Sequence, residues 1–356
     1  MDRVAAASIA GAALLSAALV AIALAYSRRR GLLDAPGQRR LHAVPTPRGG
    51  GIGIVLATLL VGFAPSVWAG DALAAALALA LAAVALVGWW DDHRPLSARL
   101  RLVVHGSAAA LAAASVVGMP ADAAAGMVFG ALLLLLAWSV NLHNFIDGID
   151  GLLATQAAVV LAALSITATM AGERSLALWG AVGAAACLGF LPFNLPRARI
   201  FMGDVGSGAL GLLVGTLGLA AWRAGAIDGG AVLMLVSAPA VDASATLAAR
   251  VLRGRRWWRP HREHLYQWLV RSGRSHLQVT LLYLAWTAVL VPAALLAREG
   301  LARSAWAGTH PAIAESLYFV GWPAATVLAA VLAWWRGKQA CLRRVGSRKH
   351  ACASPN

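Results

Sequence analysis

The sequence predicts an all-α integral membrane protein with about 10–11 transmembrane helices, its N-terminus outside and its candidate active-site loops cytoplasmic. Three observations predict it. Of 356 residues, 60% are hydrophobic and 13% are charged, where a soluble domain carries about a quarter charged. The apolar residues come in long Ala- and Leu-rich runs without the alternation of barrel strands. The charge, formally +15, is concentrated between those runs.

A membrane-spanning helix needs about 20 mostly apolar residues. Runs of that length fall at 4–26, 49–68, 72–90, 102–119, 122–140, 152–171, 175–192, 206–222, 230–250, 277–297 and 313–335. The first is long for a secretory signal and is followed, not preceded, by Arg28, Arg29 and Arg30, so it reads as a true span. This alternation puts 27–48, 91–101, 141–151, 193–205, 251–276 and the tail 336–356 on one side. With Arg250 these loops hold 25 of the 30 basic residues. The asymmetry marks that side as cytoplasmic. The basic residues hug span ends, so the charge is a topology signal and nucleic-acid binding is excluded. Cys187, Cys341 and Cys352 form no metal spacing or disulfide framework. Residues 1–335 read as one polytopic membrane domain, and 336–356 as a basic cytoplasmic tail, expected to be disordered.

Five polar motifs on the cytoplasmic side stand out, because carboxylates near membrane depth are costly and are functional suspects. In "WWDDHRPLSARLRL" (89–102) Asp91 and Asp92 repel one another unless Arg94, Arg99, Arg101 or a metal compensates; a solvated loop is the alternative. In "NLHNFIDGIDGLLAT" (141–155) Asn141, Asn144, Asp147 and Asp150 recur at every third residue. On a regular helix each such step turns back by about 60°, so the four cannot serve one point. One division gives the Asn pair one partner and the Asp pair another. A polar cap is the bland reading.

In "FMGDVGSGALG" (201–211) Asp204 lies among Gly203, Gly206 and Gly208 at a span start. Ser207 and the helix N-terminal N–H groups suit a phosphate, with Asp204 placed to hold an accompanying metal; an N-cap with small-residue packing is the alternative. "RPHREHLYQWLVRSGRSH" (259–276) sets His261, Arg262 and His264 beside arginines and Tyr266. The spacing lacks a third zinc ligand, and phosphate or sugar contacts fit better. "LLDAPGQRRLHAVPTPRGGGI" (32–52) carries Arg39, Arg40, His42 and Arg48 ahead of glycines, a basic loop suited to an anionic lipid head group. Together the motifs offer oxygen ligands of the kind Mg²⁺ takes, with phosphates filling the rest of its shell. That set suits phosphoryl transfer between a membrane lipid and a soluble nucleotide.

In order, "DDHRPLSARLRL", "NLHNFIDGIDGL", "FMGDVGSGALG" and "HREHLYQ" resemble the signatures of the polyprenyl-phosphate N-acetylhexosamine-1-phosphate transferases, and "GLLDAPGQRRLHAVPTPRGGGI" resembles that family's first cytoplasmic loop. The likeness spans about residues 31–276. Family members that build peptidoglycan usually carry three consecutive histidines where this chain has His261-Arg262-Glu263-His264, so the chain looks closer to the branch that initiates O-antigen or other surface polysaccharides. The resemblance implies a multi-pass enzyme of the bacterial inner membrane that transfers a sugar 1-phosphate from a UDP-sugar to undecaprenyl phosphate and releases UMP. It implies Mg²⁺, with Mn²⁺ as substitute, and allows a homodimer.

Residue by residue, the likeness makes Asp204 the first metal ligand and Asn144 the second. Asp91 matches the position proposed to take a proton from the lipid phosphate, with Asp92 supporting it or touching the metal. Asp147, Asp150 and Asn141 would shape the nucleotide site, with Gly203 and Ser207. Arg101, or alternatively Arg99, would hold the diphosphate. His261, Arg262 and His264 would contact phosphate or sugar, and Arg48 and His42 the lipid phosphate. A single displacement is preferred over a phospho-Asp intermediate. Asp242, inside a span, reads as a structural partner for an arginine such as Arg250. A transporter, the main rival class, would place acids near the midplane and show internal repeats; here the acids crowd span ends.

Overall fold

A computed structural model describes residues 3–35, 41, 44–256, 261–302 and 320–351. The chain is an all-α integral membrane protein. Its helices are α1 (Arg3–Arg30), α2 (Gly51–Trp68, with a π-helical turn at Thr58–Phe63), α3 (Ala72–His93), α4 (Ala98–Val117), α5 (Ala123–Ile146), α6 (Leu152–Met170) and α7 (Arg174–Asn194). They continue with α8 (Asp204–Arg223), α9 (Gly229–Leu235), α10 (Ser237–Leu252), α11 (Leu265–Arg271), α12 (His276–Ala302) and α13 (Trp322–Ala351). Among the described residues nine helices are long and apolar enough to cross a membrane, or ten if α9 and α10 count as one broken span.

The acids at the far ends of two spans are accounted for locally. Asp71 accepts from Ala74 N–H (3.0 Å) at the start of α3, and Asp122 from Ala125 N–H (2.8 Å) at the start of α5. Such caps satisfy donors that a helix leaves open. Ser97 does the same for α4 through Leu100 N–H (3.2 Å).

Helix α8 is the buried centre of the bundle, with α3, α5, α2 and α6 packed around it. Its small residues let the neighbours come close. A side chain at Gly88 of α3 would collide with the Asp204 carbonyl, and one at Gly51 with Gly206. A short antiparallel pair, β1 (Leu33–Asp34) and β2 (Thr46–Pro47), tightens the loop before α2. That loop is lashed to the segment ahead of α8: Phe201 N–H donates to Pro47 O (2.8 Å) and Gly50 N–H to Phe201 O (2.9 Å). The contacts carry Arg48 to the start of α8.

Three expectations need correction. The run 230–250 is not one straight helix; α9 and α10 meet at 79°. Pro239 has no N–H to donate, and its ring clashes with a helical carbonyl four residues back, at Leu235. The stretch after Arg336, expected to be disordered, stays helical as far as Ala351, because α13 packs against α10 and α11. The span expected at 313–335 falls partly outside the described residues. Finally, α5 continues past residue 140 to Ile146, so Asn141 and Asn144 are helical while Asp147 and Asp150 lie in the turn beyond.

Candidate active site

The ends of α3 and α5 and the start of α8 converge at one end of the bundle. Asp92, buried in the last turn of α3, accepts from Asp204 N–H through Oδ1 and from Val205 N–H through Oδ2, both at 3.2 Å. A carboxylate therefore already occupies the position at the α8 N-terminus that favours an anion. Gly203 makes this approach possible: its φ is +77°, and a Cβ there would lie 2.5 Å from Asp92 Oδ2. The expectation that these N–H groups await a substrate phosphate, with Gly203 and Ser207 around it, is corrected. The N–H groups of Asp204 and Val205 serve Asp92, and those of Gly206 and Ser207 donate to the Gly203 carbonyl (3.1 Å each). The Ser207 hydroxyl is buried and accepts from Asn144 Nδ2 (3.0 Å).

The Asp204 side chain is held from two directions. Its Oδ1 accepts from Asn144 Nδ2 and its Oδ2 from Arg101 Nη1, both at 3.0 Å. The same Arg101 nitrogen donates to Asp91 Oδ2 (2.8 Å), and Asp91 Oδ1 also accepts from Leu96 N–H (2.6 Å). Arg101, not Arg99, is thus the guanidinium that reaches the carboxylates; Arg99 is exposed on the first turn of α4. Arg48 donates to the Asp92 carbonyl. His42 lies outside the described residues.

These groups border a cavity of about 240 Å³ walled by Asp34, Arg48, Asp92, Asp147, Gly203, Asp204 and Gln267, among others. Asp147 caps the end of α5 there. Loss of hydration raises its pKa to about 8, reinforced by the negative charges of Asp204, Asp92 and Asp150. Among the described residues no three His, Cys, Asp or Glu side chains form a closed metal cage. An open set of carboxylates, repelling one another with arginines at the rim, fits Mg²⁺, which takes one or two protein carboxylates and completes its shell with phosphates and water. Asp204, Asp147 and the Asn144 amide are the groups that would hold it.

The three-residue register does not bring all four polar residues together. Asn141 turns back to donate to Ala137 O of its own helix (2.8 Å). Asp150 pairs with His276, Oδ2 to Nδ1 3.1 Å, and lines a neighbouring cavity of about 940 Å³ with Arg197, Arg199 and Phe201. The loop between is fixed by Asn194 and Tyr266, to which the sequence motifs alone assign no role. Asn194 accepts from Gly151 N–H (2.6 Å) and donates to Ile200 O (2.9 Å). Tyr266 donates to Phe145 O (3.0 Å) and fills the space a side chain at Gly148 would need. A buried amide between prolines in "LPFNLPRARIF" was the available signal for Asn194.

The glycosyl transferase family 4 profile matches residues 73–221, from α3 to α8. The chain is 31% identical over 303 residues to the decaprenyl-phosphate N-acetylglucosaminephosphotransferase of Mycolicibacterium smegmatis, covering 74% of each chain. It is 29% identical over 304 residues to the undecaprenyl-phosphate alpha-N-acetylglucosaminyl 1-phosphate transferase of Escherichia coli strain K12, covering 77% of each. The chain belongs to the polyprenyl-phosphate N-acetylhexosamine-1-phosphate transferases. A phospho-N-acetylmuramoyl-pentapeptide-transferase of Thermosynechococcus vestitus is 36% identical over a shorter stretch, 52% of this chain and 55% of the relative.

In this transferase the motif ahead of α11 is joined to the carboxylate site through Tyr266 and Gln267. His264 is buried and stacks between Phe145 and Tyr266, with ring centroids 6.0 and 5.7 Å away. His261 lies against His264, centroids 4.9 Å apart. Burial pushes the His261 pKa down to about 4, aided by the His264 and Arg250 charges, and burial also lowers that of His264. The His261 imidazole is therefore neutral at physiological pH, and Arg262 is the fixed cation beside it. Asp242 does not pair with Arg250. It accepts from Leu265 N–H (2.6 Å) and Tyr266 N–H (3.2 Å) at the start of α11, while Arg250 and Arg255 pair with Glu263.

Proposed function

We propose that this transferase moves an N-acetylhexosamine 1-phosphate, or its 6-deoxy relative, from a UDP-sugar to undecaprenyl phosphate at the cytoplasmic face of the bacterial inner membrane. The product initiates O-antigen or another surface polysaccharide. The observation that carries this reading is the convergence of Asp92, Asp147 and Asp204 with Arg48 on one cavity, with Arg101 and Asn144 bonded to the Asp204 carboxylate. An N-acetylglucosamine donor is favoured over the peptidoglycan precursor. The relatives matched over 74–77% of their length are named for N-acetylglucosamine, and His261-Arg262-Glu263-His264 stands in place of three histidines.

A phosphate oxygen of the lipid attacks the β-phosphorus of the donor. The bond from that phosphorus to the bridging oxygen breaks, and its electron pair leaves on UMP. A phosphate monoester is mostly dianionic at neutral pH, its second pKa being about 6, so the attack needs no strong base. What the chain supplies is position and charge. Asp91 remains paired and orients Arg101; Arg101 steadies Asp204; Asp92 fixes the start of α8. Bound Mg²⁺ would neutralise charge on the diphosphate as it develops on the leaving group.

The test is UMP release by the purified chain with undecaprenyl phosphate, Mg²⁺ and a panel of UDP-N-acetyl sugars. Turnover with one donor that EDTA abolishes is the expected result. A folded chain that releases no UMP from any donor overturns the reading.

A further inference from the structure

The C-terminal helix α13 carries a group that the reaction described so far does not use. Trp334, Gly337, Lys338 and Cys341 follow the i, i+3, i+4, i+7 spacing of a single helix face. That face is docked. Trp334 Nε1 donates to Asp242 Oδ1 (3.1 Å), a Cβ at Gly337 would meet Leu265 at 3.1 Å, and Cys341 Sγ lies 3.6 Å from Ser272 Oγ. Among these apolar and neutral contacts sits Lys338, only 6% exposed. Its ammonium lies 4.6 Å from the centre of the Trp334 ring and has no hydrogen-bond partner among the described residues.

The carboxylates nearest in charge are already committed. Asp242 accepts from Leu265 N–H, Tyr266 N–H, Tyr283 Oη, Trp334 Nε1 and Thr246 Oγ1. Glu263 is shared by Arg250 and Arg255. Beside Lys338, two further buried nitrogens of the same region lack hydrogen-bond partners among the described residues: His261 Nδ1 and Arg250 Nε. A buried polar nitrogen without a partner costs free energy, and a buried cation costs more. Three in one place, around a loop whose acids are spent, form a group that an oxyanion would satisfy. Burial holds the Lys338 amine below the usual lysine range, and a bound oxyanion would reverse that.

We propose that Lys338, reaching the His261–His264 loop from α13, is a phosphate-binding residue of this transferase, so that the C-terminal helix is part of the substrate site. The loop leads directly to the reaction cavity, since Gln267 lines it and Tyr266 closes on Phe145 and Gly148. The proposal rests on the transferase reading for its ligands: the phosphate belongs to the nucleotide donor or to the lipid acceptor.

The two sources are separated by measuring binding of UDP and of undecaprenyl phosphate independently to the purified full-length chain, alongside its melting midpoint. Lys338→Gln should weaken one ligand, or both, about tenfold or more, the loss expected when a buried charged contact is removed. Lys338→Arg, which keeps the charge, should restore most of it. Loss for UDP alone assigns the donor diphosphate; loss for the lipid alone assigns the acceptor phosphate. Unchanged affinities in Lys338→Gln overturn the proposal. So does an equal loss in Lys338→Arg, which would report packing, not charge, and so does a wild-type chain that binds neither ligand. A wild-type chain that binds both but releases no UMP sinks the transferase reading and leaves the Lys338 comparison decisive on its own.

Discussion

One guanidinium nitrogen of Arg101 lies 2.8 Å from Asp91 Oδ2 and 3.0 Å from Asp204 Oδ2, tying the end of α3 to the start of α8. The arginine is the fixed cation between two carboxylates that would otherwise repel. Its side chain is 34% exposed, so solvent screens part of the interaction. Arg101→Met should lower kcat/KM about tenfold to a hundredfold while the protein remains folded. Arg101→Lys should recover only part, because an ammonium does not reproduce the planar fork. Steady-state kinetics on both variants check this; a fully active Arg101→Met would show that the bridge is incidental.

Asp92 and Asp204 touch, yet their substitutions should separate stability from turnover. Asp92 serves the α8 N-terminus through two backbone hydrogen bonds. Asp92→Ala should cost about 1–2 kcal/mol, as loss of a helix cap does, and lower the melting midpoint. Asp204→Asn should leave the midpoint near wild type while abolishing Mg²⁺-dependent UMP release. Full activity in Asp204→Asn would remove that residue from the metal assignment.

The pH dependence follows from Asp147. Its pKa is raised to about 8 in the folded protein by burial and by the neighbouring carboxylates, against about 3.9 for a free Asp. The folded state therefore holds the proton more tightly than the unfolded one. The resulting stabilisation is fully present below about pH 4 and is lost as the pH rises toward and through 8. In metal-free buffer the melting midpoint of the wild type should fall between pH 6 and 8.5, and Asp147→Asn should flatten that fall. Equal slopes in the two proteins would place the titration elsewhere.

Much of this architecture was legible because it is local. Apolar runs of bilayer length mark the helices, and the clustering of acids at one set of span ends anticipated the meeting of Asp92, Asn144, Asp147 and Asp204. What escaped depends on contacts between distant segments. Asp92 capping a helix that begins at Asp204 leaves no local pattern, so the N–H groups there seemed free for phosphate. Asp150 looked equivalent to Asp147 in the three-residue register, but the helix ends at Ile146 and the turn sends Asp150 to His276. The tail reads as disordered from sequence because five other basic residues surround one docked face, Trp334, Lys338 and Cys341. The break before Pro239 was readable, since its missing donor is a property of the residue alone.

The reassignment of Asp242 gives the last prediction. Only 1% exposed, it receives donors from α10, α11, α12 and α13. Removing the carboxylate would leave several buried donors without acceptors, each at about 1–3 kcal/mol. Asp242→Ala should therefore destabilise the protein far more than Arg250→Ala, which loses the pairing with Glu263 and one hydrogen bond to the Arg256 carbonyl. Asp242→Asn should also destabilise, because its amide would present N–H groups to a ring of donors. The order of melting midpoints should be wild type, then Arg250→Ala, then Asp242→Asn, with Asp242→Ala lowest. If Arg250→Ala and Asp242→Ala fell equally, the Asp–Arg partnership would be restored and the capping role of Asp242 at α11 would be lost.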